Sequence, residues 1–218
     1  PKRFVVKDVH WRAEYGVVPA PLGSSFDTSL RSGRALLLDA IRRDPNPVVL
    51  LGYSGGAALA GNVAAEIGRG EHPGLDVRGV GLISDPFRED GCGLFPNPGG
   101  YGIAGQRPIR GMPVLSVAAW GDPITSLPAG NRLRDIADFT SSLSLVDMRV
   151  WFDGVRRRLT AEQWQNALLR PWDRGAWRRT GEAAQWARGY LVDGRHDSAY
   201  INEGHCTRLA SAINEIEE

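Results

Sequence analysis

The chain has few of the residues and motifs that mark metal, cofactor and membrane proteins. Its 218 residues include two cysteines, Cys92 and Cys206, without metal-type spacing, and we expect two free thiols rather than a disulfide. There is no phosphate-binding loop, no zinc motif and no internal repeat. No apolar run approaches the ~20 residues of a membrane span, and no signal peptide stands at the N-terminus. We therefore expect no metal, no cofactor and no transmembrane segment.

The chain also lacks a large excess of either charge. Its formal net charge of +1 at pH 7 argues against general binding to polyanions. Arginines are frequent between Arg149 and Arg195, but no nucleic-acid recognition motif accompanies them, so we expect no nucleic-acid partner. The length is that of a single catalytic domain over residues 1–218, without a second full domain.

Apolar runs typical of buried strands alternate with helix-forming stretches in the first part of the chain. A helix is predicted for Ser25–Arg43, and strands are predicted for Pro47–Leu51, Gly79–Ser84 and Pro113–Trp120. This order predicts an α/β fold with a mostly parallel central sheet flanked by helices. A final helix is predicted from His205, because apolar residues follow it at helical spacing.

The sequence Gly52-Tyr53-Ser54-Gly55-Gly56 lies between a predicted strand and a predicted helix over Ala57–Glu66. A strand, a tight turn with a central serine and a helix are typical of the nucleophile elbow of serine hydrolases. The glycines leave room for the sharp turn. The N–H groups at the start of the following helix favour developing negative charge. The pattern therefore predicts that Ser54 is a catalytic nucleophile.

A nucleophilic serine needs a base and a carboxylate that orients the base. In the fold that carries this elbow, the carboxylate follows the serine in the chain, and the histidine follows the carboxylate. Asp122 follows the predicted strand Pro113–Trp120, at the sheet edge where α/β proteins place their sites. An aspartate before Pro123 is also common in plain turns. Asp85, which ends the preceding strand, is the rival for the catalytic carboxylate.

Four histidines are the candidates for the catalytic base. His10 precedes the elbow and His72 follows it too closely. His196 lies in a polar loop, whereas His205 begins the final helix, a position that is usually solvated. His196 is therefore the predicted base.

Five segments carry a resemblance to a known family. They are Gly52–Ala57, Ser84–Arg88, the glycine-rich Pro96–Gly105, Gly121-Asp122, and Gly194–His196 together with Tyr200. These segments resemble phage lysin B, and the resemblance spans about Val9 to Ala210. Lysin B enzymes are cutinase-like serine esterases of the α/β-hydrolase fold, which cut the ester between mycolic acids and arabinogalactan in mycobacterial envelopes.

The resemblance implies a catalytic triad of Ser54, Asp122 and His196, with the Gly55 N–H in the oxyanion hole. It implies a lipid-ester or glycolipid substrate of the bacterial envelope, with Tyr53 among the residues that contact it. It also implies a phage-encoded protein that is made in the host cytoplasm and acts at the host envelope. A general cutinase or lipase, or a non-catalytic module of a phage tail or envelope-binding protein, are the alternatives.

Residues 125–189 are predicted to form a helical insertion between the acid and the histidine, because strand signals fade there. This stretch holds five of the seven tryptophans. Packing of the insertion onto the core is the ordinary role of such residues. Since lysin B relatives carry a helical insertion here, the resemblance favours a lid, with Trp164 and Trp172 facing the substrate.

One departure from the family concerns the N-terminal part. Lysin B enzymes begin with a strand ending in a His-Gly-Thr-Gly-like turn that contributes to the oxyanion hole, and this chain shows no such turn. The run Phe4–Trp11 is predicted to be a strand that corresponds to the family's next one. On this reading the first strand is missing, and Gly55 is the one expected oxyanion donor.

Overall fold

The computed structural model describes residues 4–13, 26–131, 133, 181–182, 185–190 and 192–217. The elements with full bounds are helices α1 (Phe26–Arg43), α2 (Gly55–Gly68), α3 (Pro123–Ser126), α4 (Ser198–Asn202) and α5 (His205–Asn214), and strands β1 (Val48–Tyr53), β2 (Val77–Ile83) and β3 (Val114–Val117). Residues 185–190 are also helical. The predicted first helix, three strands and final helix are therefore present.

The three strands form a parallel sheet in the order β1-β2-β3. The register places Tyr53 beside Ile83, and Ile83 beside Val117. The carboxyl ends of the strands thus lie in one row. Because all three strands run in the same direction, the residues that follow them meet at one edge of the sheet. The architecture is α/β, with a parallel central sheet flanked by helices, as the sequence predicts.

Helices cover both faces of the sheet. On one face, α2 packs on β1 and β2, and α1 packs on α2. Ala57, Ala58 and Ala64 of α2 are fully buried. On the other face α5 packs on β2 and β3. A Cβ atom added at Gly81 would come within 3.0 Å of the Ile213 side chain, so a strand glycine lets α5 approach closely. Small residues therefore set the layer spacing on both faces.

The predicted strand over Phe4–Trp11 is wrong. Residues 4–13 contain no strand, and Val5 and Val6 are 85% and 73% exposed. Trp11 instead packs against the α1–α2 core beside Gly33. The β-branched residues gave this run a strand propensity, but strand propensity depends on a neighbouring strand and a face to bury.

Most of the predicted insertion over residues 125–189 lies outside the described residues, including Trp164 and Trp172. Within that range the structure describes residues 125–131, 133, 181–182 and 185–189. Across the described parts of the chain, no helix is long and apolar enough to cross a membrane. Cys92 and Cys206 are both unpaired.

Candidate active site

Ser54 lies at the sharp turn between β1 and α2. Its backbone has φ 53° and ψ −117°, a combination that residues other than glycine rarely adopt. Glycine is required at position 52, two residues earlier in β1, because a Cβ there would lie 2.2 Å from the Gly56 carbonyl oxygen. The first hydrogen bond of the helix runs from the Ala58 N–H to the Ser54 carbonyl oxygen at 3.0 Å. The earlier N–H groups, beginning with Gly55, have no acceptor within their own helix.

His196 lies in the turn before α4 and is 8% exposed. Its Nε2 is 2.9 Å from the Ser54 Oγ, which is hydrogen-bonding distance. The Tyr53 hydroxyl donates to the His196 carbonyl oxygen at 2.8 Å. The rings of Tyr53 and Tyr190 lie 5.4 Å and 4.9 Å from the imidazole, centroid to centroid. Aromatic packing and a backbone contact therefore hold the histidine over the elbow.

Asp122 lies on the opposite side of the imidazole and is fully buried. Its Oδ1 and Oδ2 are 3.2 Å and 3.3 Å from the His196 Nδ1. Asp122 also caps α3, since its Oδ1 accepts from the Ile124 N–H at 3.0 Å. The turn interpretation and the triad interpretation of this residue are thus compatible, because one carboxylate makes both contacts.

Two further side chains contact the Asp122 carboxylate, and the sequence analysis did not assign either of them a role. The Ser84 hydroxyl donates to Asp122 Oδ2 at 2.5 Å, and the Tyr200 hydroxyl donates to the same oxygen at 2.6 Å. The Tyr200 oxygen also accepts from the Ala119 N–H at 3.2 Å. Burial, followed by the nearby carboxylate, raises the pKa of Tyr200 well above its ordinary range, so this phenol remains a donor. Ser84 directly follows β2, a position that could have marked it.

Asp85, the rival carboxylate, makes no described contact with the imidazole and binds other partners. Its Oδ2 accepts from the Arg107 guanidinium at 2.6 Å, and its Oδ1 accepts from the Phe87 N–H at 3.0 Å. Burial raises the pKa of Asp85, and the charge of Arg107 opposes that shift. Asp85 therefore has the environment of a buried structural ion pair.

The loop after β2 is organised around Arg88, which is 1% exposed. The Arg88 Nε donates to the Thr125 carbonyl oxygen at 2.7 Å, which ties the loop to α3. The other guanidinium nitrogens donate to the carbonyl oxygens of Cys92, Gly99 and Gly100 and to the Asn97 side chain. All of these acceptors are neutral. The buried cation thus joins the glycine-rich loop to the segment that carries Asp122.

His205 is not the solvated residue that the sequence predicts. It is 2% exposed, and its ring lies 5.5 Å from that of Tyr200. Burial lowers the pKa of His205. The side chain is 3.3 Å from a Glu203 carboxylate oxygen and makes no described contact with Ser54. A position at the start of a helix gives exposure only if that face of the helix is free, and here the helix lies on the sheet.

Among the described residues, one group has the spacing of a possible metal site: Glu66, Glu71 and His72. The carboxylate of Glu66 already accepts from the Arg34 Nε at 2.8 Å and 2.9 Å and lies 2.8 Å from the His72 Nε2. An arginine paired with the central ligand opposes a second cation. We therefore assign this group to surface ion pairing.

Of the predicted substrate-contacting residues, the structure describes Tyr53, which is 44% exposed beside the nucleophile. Trp120, which the sequence did not single out, is close in sequence to Asp122 and is 57% exposed. Trp164 and Trp172 lie outside the described residues. The exposed aromatic surface that the structure describes near the candidate triad therefore comes from the ends of the sheet strands.

No protein-family model matches the chain. A comparison with curated proteins finds 36% identity over 98 residues to a Corynebacterium glutamicum protein described as a carboxylesterase Culp6 homolog. The matched region covers 42% of this chain and 32% of that protein. The match thus spans about a third of the relative's length.

Proposed function

We propose that this chain is a serine carboxylic ester hydrolase of the cutinase-like type, with Ser54 as nucleophile, His196 as general base and Asp122 as the orienting carboxylate. The observation that carries this proposal is the continuous hydrogen-bonded chain from Ser54 Oγ through His196 to the buried Asp122. The partial similarity to a protein described as a carboxylesterase supports it independently.

The mechanism follows from this order of contacts. His196 Nε2 takes the proton of the Ser54 hydroxyl as Oγ attacks the ester carbonyl carbon, and Asp122 stabilises the resulting imidazolium. The C–O bond of the ester then breaks, and the imidazolium returns the proton to the departing alcohol. Water, deprotonated by the same histidine, attacks the acyl-enzyme and releases the acid. N–H groups at the start of α2, with Gly55 first, would stabilise the oxyanion.

The finer proposal concerns the substrate. The resemblance to lysin B favours an ester of mycolic acid with arabinogalactan, and an action at the bacterial envelope. The exposed aromatic rings of Tyr53 and Trp120 supply apolar surface for an acyl chain. Nothing in the described site requires a long chain, so a general cutinase-like esterase is the second candidate.

A fluorophosphonate probe and a p-nitrophenyl butyrate assay test the coarser proposal. The wild-type protein should be labelled and should hydrolyse the ester, and Ser54→Ala should lose both while keeping its far-ultraviolet circular dichroism spectrum. Ser32→Ala, which removes an exposed hydroxyl of α1, is the matched control and should behave as wild type. If the wild-type protein neither reacts with the probe nor hydrolyses the ester, the proposal of an esterase is refuted.

Isolated mycobacterial cell wall tests the finer proposal. Release of free mycolic acids by the wild-type protein, and not by Ser54→Ala, is the expected result. Hydrolysis of p-nitrophenyl butyrate without release of mycolic acids would instead support the general esterase.

A further inference from the structure

Ser84 has an unusual backbone conformation. Among the described residues, Ser54 and Ser84 are the two non-glycine residues in the left-handed region, each with φ 53°. Glycine adopts this conformation at no steric cost, whereas serine is strained there. Such strain is common where a side chain has a role in a functional site. Ser54 has that role as the candidate nucleophile, and the same strain at Ser84 points to the contacts of its hydroxyl.

The Ser84 hydroxyl lies between the imidazole and the carboxylate. Its Oγ is 2.5 Å from Asp122 Oδ2 and 3.0 Å from His196 Nδ1. The direct distances from Nδ1 to the carboxylate oxygens are longer, at 3.2 Å and 3.3 Å. Each of the two contacts made by the Ser84 hydroxyl is therefore shorter than either direct contact between the imidazole and the carboxylate.

The direction of these hydrogen bonds follows from the chemistry of the groups. An ionised carboxylate only accepts, so the single proton of the Ser84 hydroxyl lies on the Asp122 side. The Ser84 oxygen can then meet His196 Nδ1 only as an acceptor, and Nδ1 must carry the proton. In that tautomer Nε2 is bare and can accept the proton of Ser54.

The carboxylate itself has other restraints. Tyr200 donates to Asp122 Oδ2 at 2.6 Å, and the Ile124 N–H donates to Oδ1 at 3.0 Å. Loss of the Ser84 hydroxyl would thus leave Asp122 in place, whereas the imidazole would lose its shortest contact at Nδ1. The specific effect of Ser84 falls on His196.

We propose that Ser84 is a positioning residue of the active site, whose hydroxyl bridges Asp122 and His196 and holds the imidazole in the orientation and tautomer that accept the Ser54 proton. The consequence for turnover rests on the proposed function, but the bridge itself does not. Ser84 acts through His196 and does not touch the substrate.

Ser84→Gly is the decisive variant, because it removes the hydroxyl and also relieves the backbone strain. We expect kcat to fall about 10-fold to 100-fold, the range for loss of a hydrogen bond to a charged group. KM should stay within about twofold, since the substrate contacts are unchanged. The melting temperature should change little, because relief of the backbone strain offsets the loss of the buried hydrogen bond. If Ser84 had only a structural role, its replacement would not lower kcat while leaving the stability of the protein unchanged.

Ser116→Ala is the matched control. Ser116 is also a buried serine, on the neighbouring strand β3, and within the described part of the chain its Oγ has no hydrogen-bond partner. Its removal should leave kcat unchanged. An equal fall in kcat for Ser84→Gly and Ser116→Ala would overturn the proposal.

Nuclear magnetic resonance gives a readout that does not need turnover. In the wild-type protein the Nδ1 proton of His196 should give a downfield resonance that exchanges slowly with water. In Ser84→Gly it should move upfield and exchange faster. This measurement judges the bridge even if the wild-type protein hydrolyses no ester and the proposed function fails. A Ser84→Gly protein with wild-type kcat, or with an unchanged His196 resonance, overturns the proposal.

Discussion

Replacement of Asp122 and, separately, of Asp85 by asparagine should damage the protein in two different ways. Asp122→Asn removes the charge that faces the His196 Nδ1 and offers an amide group in its place. The wrong imidazole tautomer is then stabilised, and in Ser-His-Asp enzymes this costs about 10⁴ in kcat. Asparagine keeps an oxygen for the donors that surround the carboxylate, so the free energy of unfolding should fall by only about 1–2 kcal/mol.

Asp85→Asn should instead affect stability. The side chains of Asp85 and Arg107 are 2% and 10% exposed, so the variant would leave a buried guanidinium without its counter-charge. Breaking a buried ion pair from one side costs about 3–5 kcal/mol. The low end of that range applies here. Arg107 keeps contacts with Ala58 and Asn62, and the raised pKa of Asp85 shows that its own burial is unfavourable. Activity per folded molecule should stay near that of the wild type.

Turnover of p-nitrophenyl butyrate, normalised by the fraction of protein that is folded, and urea denaturation together separate the two effects. Asp122→Asn should have a much lower turnover than the wild type and a stability close to it. Asp85→Asn should have a turnover close to that of the wild type and a clearly lower stability. A larger loss of turnover from Asp85→Asn than from Asp122→Asn would show that the acid is assigned to the wrong strand.

Three further predictions follow from single residues. Gly52→Ala should abolish soluble, folded protein, because the added Cβ would lie 2.2 Å from the Gly56 carbonyl oxygen, and expression with circular dichroism checks this. Burial lowers the pKa of His205, so the unfolded state binds the proton more readily. Stability should therefore be full above about pH 6.5 and fall below it, less steeply in His205→Gln, as measured by urea denaturation. The pKa of Tyr200 is raised well above its ordinary value of 10.0. The folded state then keeps a proton that the unfolded state loses, so stability falls as pH rises above about 10, and ultraviolet titration should show one tyrosine that ionises only on unfolding and is absent in Tyr200→Phe.

The parts of the fold that the sequence predicts correctly depend on local signals. The β1–α2 turn is marked by an apolar run before it, three glycines around Ser54, and alanine-rich helix after it. These signals lie within a few residues of one another, so no long-range contact is needed to recognise them. The parallel pairing of β1 with β2 is then expected from the strand–helix–strand order of β1, α2 and β2.

The errors and omissions arise where the outcome depends on distant residues. The strand predicted for Phe4–Trp11 has strand-forming residues but is not paired in the described sheet. His205 has the sequence position of an exposed residue, and its burial comes from the packing of α5 on the sheet. The Ser84 bridge joins Asp122 and His196, which lie 38 and 112 positions after Ser84 in the sequence, and only the three-dimensional arrangement shows it.

The distribution of contacts in the candidate triad has a mechanical consequence. The buried carboxylate of Asp122 accepts from Ser84, Tyr200 and the Ile124 N–H, whereas the Ser54 hydroxyl contacts His196 at the half-buried elbow. Restraint therefore decreases from the carboxylate toward the nucleophile. Such a gradient suits an acyl transfer, because Ser54 Oγ must form and break a bond while the imidazole keeps its direction. Variants at the carboxylate end should consequently act on kcat through the orientation of His196, and variants at Ser54 should act on bond formation itself.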